Sequence, residues 1–97
     1  SGLVAPIVGH VGDGNFHTVI LVPPGEAGLA QAWELDKRIV ARALALGGSC
    51  SGEHGVGIGK REFLDAEHGA ETLAVMRQIK TALDPRGIMN PGKLFLN

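Results

Sequence analysis

Tyrosine is absent from this 97-residue chain, tryptophan occurs once, at Trp33, and phenylalanine three times. So few rings leave no surface on which bases could stack, and no basic run interleaves with them. A net charge of −1 removes the electrostatic case for nucleic acid or an anionic membrane as a partner. The single cysteine, Cys50, rules out an internal disulfide framework and suits a reducing compartment. No apolar run approaches the length that spans a bilayer. The opening Ser1-Gly2-Leu3 has neither an initiator methionine nor the charged-then-apolar layout of a signal peptide, so the chain reads as a piece of a longer protein.

What is present is ordinary globular material. The chain is 44% hydrophobic and 20% charged, which argues against disorder, and its length suits one small domain. Residues 4–22 read as a β-hairpin. Pro6, Val8, His10, His17, Val19 and Leu21 fall on one face, and Ile7, Val11, Phe16, Thr18, Ile20 and Val22 on the other. Both faces are largely apolar, so the sheet is expected to be covered on both sides. Pro23-Pro24-Gly25 stops the second strand. A helix is predicted from Glu26 to Leu46, with Leu29, Ala32, Trp33, Leu35, Ile39, Val40, Ala43, Leu44 and Leu46 filling about half its circumference. Asp36 falls inside that arc and needs a partner there. A short helix is predicted over 60–67 and a third over 70–83, ended by Asp84-Pro85-Arg86-Gly87. Leu94, Phe95 and Leu96 are expected to dock or to pair as a short strand. The fold class is therefore α+β, an antiparallel hairpin with about three helices.

Chemistry concentrates in two glycine-rich stretches. His10 and His17 bracket Gly12-Asp13-Gly14-Asn15. If Asp13-Gly14 is a two-residue hairpin loop, His10 pairs with His17 across the strands. Directly opposed residues share a face, with Cβ atoms roughly 4.5–5.5 Å apart. Two imidazoles so placed can share one divalent metal; the alternative is a stacked, hydrogen-bonded pair. The second stretch, residues 47–59, carries Gly47, Gly48, Gly52, Gly55, Gly57 and Gly59 around Glu53-His54. Adjacent residues in extended backbone point opposite ways, which gives Glu53 and His54 different tasks. Glu53 fits as the third ligand of a two-His, one-carboxylate metal site with open positions for a substrate. His54, an imidazole, fits as the base. The alternative is that Glu53 pairs locally and His54 is an ordinary loop residue. Gly55 to Lys60 lacks the spacing of a phosphate-binding P-loop. Cys50 reads as a small buried hydrophobe, and His68 as a surface residue at a helix C-terminus.

Several motifs taken together resemble one family. Gly9-His10-Val11-Gly12-Asp13-Gly14-Asn15-Phe16-His17, Cys50-Ser51-Gly52-Glu53-His54-Gly55-Val56-Gly57, Met76-Arg77-Gln78-Ile79-Lys80, Leu83-Asp84-Pro85 and Met89-Asn90-Pro91-Gly92-Lys93 are similar to the C-terminal end of FAD-linked oxidases of the vanillyl-alcohol-oxidase type. That family includes cytochrome-linked D-lactate dehydrogenases, glycolate oxidases and D-2-hydroxyglutarate dehydrogenases, and the first branch resembles this chain most. The resemblance implies oxidation of a D-2-hydroxy acid to a 2-oxo acid with hydride transfer to FAD. It implies a divalent metal, zinc or manganese, at His10, His17 and Glu53, a proton acceptor at His54, and a segment around Asn90 that approaches the flavin. Residues 1–97 would then be the C-terminal portion of a ferredoxin-like cap, or substrate, domain. The FAD-binding domain would be a partner missing from this chain, leaving the fragment inactive and open to homodimerisation through its sheet edges. The implied location is cytoplasmic, peripheral to the inner membrane in a bacterium, or mitochondrial in a eukaryote. Two other readings remain open: a stand-alone metal-binding or interaction module, and a metallohydrolase, which lacks its usual His-Glu-x-x-His helix here.

Overall fold

The computed structural model describes residues 2–95. They form two compact units that divide between Gly47 and Gly48.

The first unit contains the hairpin and the long helix. Strand β1, Ile7–Val8, pairs antiparallel with β2, His17–Thr18. The ladder runs further than the strands, because Val19 N–H donates to Pro6 O and Leu21 N–H to Val4 O, both at 2.9 Å. Pro6 has no N–H to return, which keeps the regular strands short. The register differs from the expected one. Val8, not His10, lies opposite His17. A type I′ loop needs positive φ at both central residues, yet Asp13 closes a right-handed 3₁₀ turn, Val11–Asp13, and only Gly14 enters the left-handed region, at φ 73°. The connection therefore spreads over residues 9–16 and is tied by Asp13 and Asn15 N–H groups donating to His10 O at 2.9 and 3.2 Å.

Helix α1, Glu26–Ala45, starts where Pro23-Pro24-Gly25 can no longer extend a strand, and stops at Gly47, which has φ 82°. Of its expected apolar arc only Ala32 and Val40 are buried, together with Gly28. Leu29 and Trp33 remain about half exposed and Leu46 more so. Asp36 is half-buried and has an interaction partner. Nor is the hairpin covered: Ile7, Val8, Phe16, Val19, Leu21 and Val22 are all exposed, so among the described residues neither face has its cover.

The second unit is better knitted. The segment expected as one short helix is a 3₁₀ turn, Arg61–Phe63, running into α2, Leu64–His68. Gly69, at φ 84°, reverses the chain into α3, Ala70–Leu83, with the bounds predicted for it. Leu64, 3% exposed, is the centre of this unit, with Cys50 also in its core. Asp84 stops α3 and organises the turn after it. Its buried carboxylate accepts from Lys80 Nζ and from the N–H groups of Ile88 (3.1 Å) and Met89 (2.9 Å). The tail docks as expected without becoming a strand: Leu94 N–H donates to Gly57 O at 2.6 Å, and Arg77 lies over the Phe95 ring at 4.8 Å. Leu96 lies outside the described residues.

Candidate active site

The hairpin contributes two histidines from different settings. His17 sits on β2, half-buried. His10 is exposed and lies at the start of the 3₁₀ turn, where its carbonyl gathers the two turn hydrogen bonds. The pairing of His10 with His17 across the strands does not form, because Asp13 keeps a right-handed backbone.

Glu53 and His54 occupy a bend, not an extended segment. Their side chains consequently converge: His54 Nε2 is 3.7 Å from Glu53 Oε1, with the imidazole 72% and the carboxylate 49% exposed. The expectation that adjacent side chains diverge fails here, because strand alternation needs extended backbone and the flanking glycines remove it. At 3.7 Å the pair is close but beyond a hydrogen bond. A carboxylate and an imidazole so placed can hold a divalent cation together, or exchange a proton through one bridging water.

The loop that carries them is fixed at its ends. Internally, Ser51 Oγ donates to Gly55 O at 2.6 Å. At its front, Glu67 on α2 reaches back: Oε1 accepts from Cys50 N–H at 2.7 Å and Ser49 Oγ lies 3.2 and 3.0 Å from the two carboxylate oxygens. His68 Nε2 adds a contact to Glu67 Oε2 at 3.1 Å, so the helix-end histidine has a carboxylate partner. Burial alone would raise the Glu67 carboxyl, but the Cys50 N–H and thiol, the Ser49 hydroxyl and His68 together hold it below its ordinary value. The same geometry acts oppositely on Cys50. Burial pushes its thiol up to about 11, and the neighbouring Glu67 pushes it the same way. Cys50 is thus the buried, inert residue expected of it. Sequence reasoning missed Glu67; its only signal there is an acid in a short helix beside His68.

At the rear of the loop, Gly57 O takes the Leu94 N–H and Arg61 Nη1 donates to Gly92 O at 2.6 Å. Asn90 stands in the turn between, at φ 46°, a conformation asparagine tolerates better than most residues. It rims a mostly apolar cavity of about 480 Å³ between α3 and the tail, lined among others by Met76, Ile79, Leu83, Met89 and Phe95.

A family model described as the C-terminal domain of FAD linked oxidases matches residues 1–94. The chain belongs to that family. This FAD-linked oxidase C-terminal domain is 52% identical over 95 residues to the mitochondrial D-lactate dehydrogenase [cytochrome] 1 of Saccharomyces cerevisiae, covering 98% of the chain and 16% of that protein. It is 46% identical over 96 residues to a probable mitochondrial D-lactate dehydrogenase of Danio rerio, covering 98% and 19%. Against the glycolate oxidase subunit GlcD of Escherichia coli K12 it is 41% identical over 85 residues, covering 87% and 17%. The domain therefore spans less than a fifth of the length of these relatives. No helix among its described residues is long and apolar enough to cross a membrane.

Proposed function

We propose that this domain is the substrate-side, metal-bearing part of an FAD-dependent D-2-hydroxy-acid dehydrogenase of the D-lactate type. The observation that carries the reading is the exposed Glu53–His54 pair, 3.7 Å apart on its anchored glycine loop. It occurs in a chain about half identical to D-lactate dehydrogenases.

Oxidation of a 2-hydroxy acid removes a proton from the hydroxyl and a hydride from C2, leaving the 2-oxo acid. The domain's task is the proton. His54 accepts it at Nε2, with the Glu53 carboxylate beside it. We assign His10, His17 and Glu53 as the metal donors, because two imidazoles and one carboxylate suit zinc or manganese. A divalent metal, when bound, supplies the positive charge that lowers the pKa of the alcohol. FAD, when bound, supplies the hydride acceptor. The FAD site belongs to the larger part of the protein, towards which we assign the Asn90 turn. On this reading the domain is the C-terminal portion of a ferredoxin-like cap and is inactive alone. Its uncovered hairpin would also let the isolated domain self-associate, and the full enzyme would work in mitochondria or at the inner face of a bacterial membrane.

In the full-length enzyme, His54→Ala is expected to lower turnover of D-lactate by about 10²–10⁴-fold, with the flavin absorbance per protein unchanged. Metal analysis of the same preparations should find one divalent ion in His54→Ala and a deficit in Glu53→Ala. Normal turnover in His54→Ala overturns the base assignment.

A further inference from the structure

Glu53 and His54 project from a glycine-rich bend, each about half exposed or more. Their reach depends on the backbone that carries them, and that backbone is fixed on either side. The front anchor is a single carboxylate. Glu67, whose side chain is 13% exposed, takes the Cys50 N–H at 2.7 Å and the Ser49 hydroxyl across both its oxygens. That joins the residues just ahead of Glu53 to the last turn of α2. At the rear, the Leu94 N–H holds Gly57 O at 2.6 Å. Leu94 does so in the left-handed region, at φ 70°, and Phe95 N–H donates to Lys93 O at 2.8 Å across it. A leucine in that conformation is a strained residue held in place by its surroundings, so the rear anchor is held by the tail rather than adopted freely.

We propose that Glu67 is a positioning residue for the reaction, setting the backbone from which Glu53 and His54 reach the substrate. The proposal rests on the reading of His54 as the base. Glu67 does not touch substrate. Its two oxygens hold Ser49 and Cys50, and through them the entry angle of the loop. Gln keeps one carbonyl oxygen for the Cys50 N–H, and Ala keeps none. Misplacement of a reacting group by about 1 Å costs on the order of 10²-fold in rate.

The test uses the full-length enzyme with D-lactate and D-lactate deuterated at C2. Glu67→Ala is expected to lower kcat by about 30–100-fold, with KM within about threefold and flavin content unchanged, and with a larger deuterium isotope effect because the chemical step has slowed. Glu67→Gln should recover most of kcat. Glu67→Ala with kcat within about twofold of wild type overturns the proposal, and so does a loss that tracks flavin content or melting temperature. Should Glu67→Ala not fold, Ser49→Ala decides: a lowered kcat with a larger isotope effect is expected, and unchanged kcat and isotope effect overturn the proposal. His54→Ala run in parallel separates the two readings. An active His54→Ala removes the base assignment, whereas an inactive His54→Ala beside an unimpaired Glu67→Ala removes only the positioning role.

Discussion

Cys50 and Glu67 shift each other in ways that make separate, checkable statements about pH. The thiol, raised to about 11 from 9.0, favours its neutral form in the folded state. Its contribution to stability is therefore whole below the unfolded value and is lost as pH rises towards the folded one. Glu67 runs the other way. Its folded value lies below the ordinary 4.5, so its contribution is whole above that value and is withdrawn only as pH falls through the lower folded value. One consequence is kinetic. At pH 8 native Cys50 should react with iodoacetamide at least about tenfold more slowly than in denaturant, because the thiolate is scarce as well as buried. Mass spectrometry of alkylated protein measures it, and equal rates in the two states would contradict the buried, Glu67-bonded thiol.

Between elements, local chemistry and close approach compete, and the outcome separates what is legible in the sequence from what is not. Helix α3 is readable to its ends because Gly69 and Asp84-Pro85 are strong stops. The hairpin is readable as a hairpin, but its register is not. Asp-Gly signals a turn without saying whether Asp13 will accept positive φ, and it does not. That single choice moves His17 from opposite His10 to opposite Val8. The Glu53–His54 pair is visible from its glycines, but its convergence is not, because a bend suspends alternation. Glu67 escapes notice since no periodicity marks a carboxylate that reaches backward across 17 residues to Cys50. Gly28 shows the same competition in a form that can be tested. Replacing a helix glycine by alanine ordinarily stabilises by about 1 kcal/mol. At Gly28 the new Cβ would collide with the Pro23 carbonyl oxygen, a backbone atom that cannot swing aside. Gly28→Ala is therefore expected to lower the melting temperature, and a rise would show that the Pro-Pro-Gly entry yields easily.

For the whole molecule, the balance of surface decides. Only Ala32, Val40, Cys50 and Leu64 are buried apolar residues among those described, while Trp33, Leu29, Ile79, Leu83, Ile88 and Met89 stand at half exposure or more. Composition predicts a globular protein, but it cannot say how much of the core is supplied by residues outside the chain, which matches under a fifth of its relatives' length. The isolated domain should therefore bind ANS strongly and unfold over a broad range, and the proposed full-length enzyme should not. A sharp, ANS-silent melt of the isolated domain would contradict this. The tail strap has a further consequence, in time rather than space. Gly57 and Leu94, which hydrogen-bond to each other, are 37 residues apart (94 − 57). At about 5–20 residues per second of synthesis, roughly 2–7 s separate the making of the loop from the making of its rear anchor. During that interval the nascent chain carries the Glu53 carboxylate and the His54 imidazole on a loop without its rear hydrogen bond, which closes only when the strap arrives.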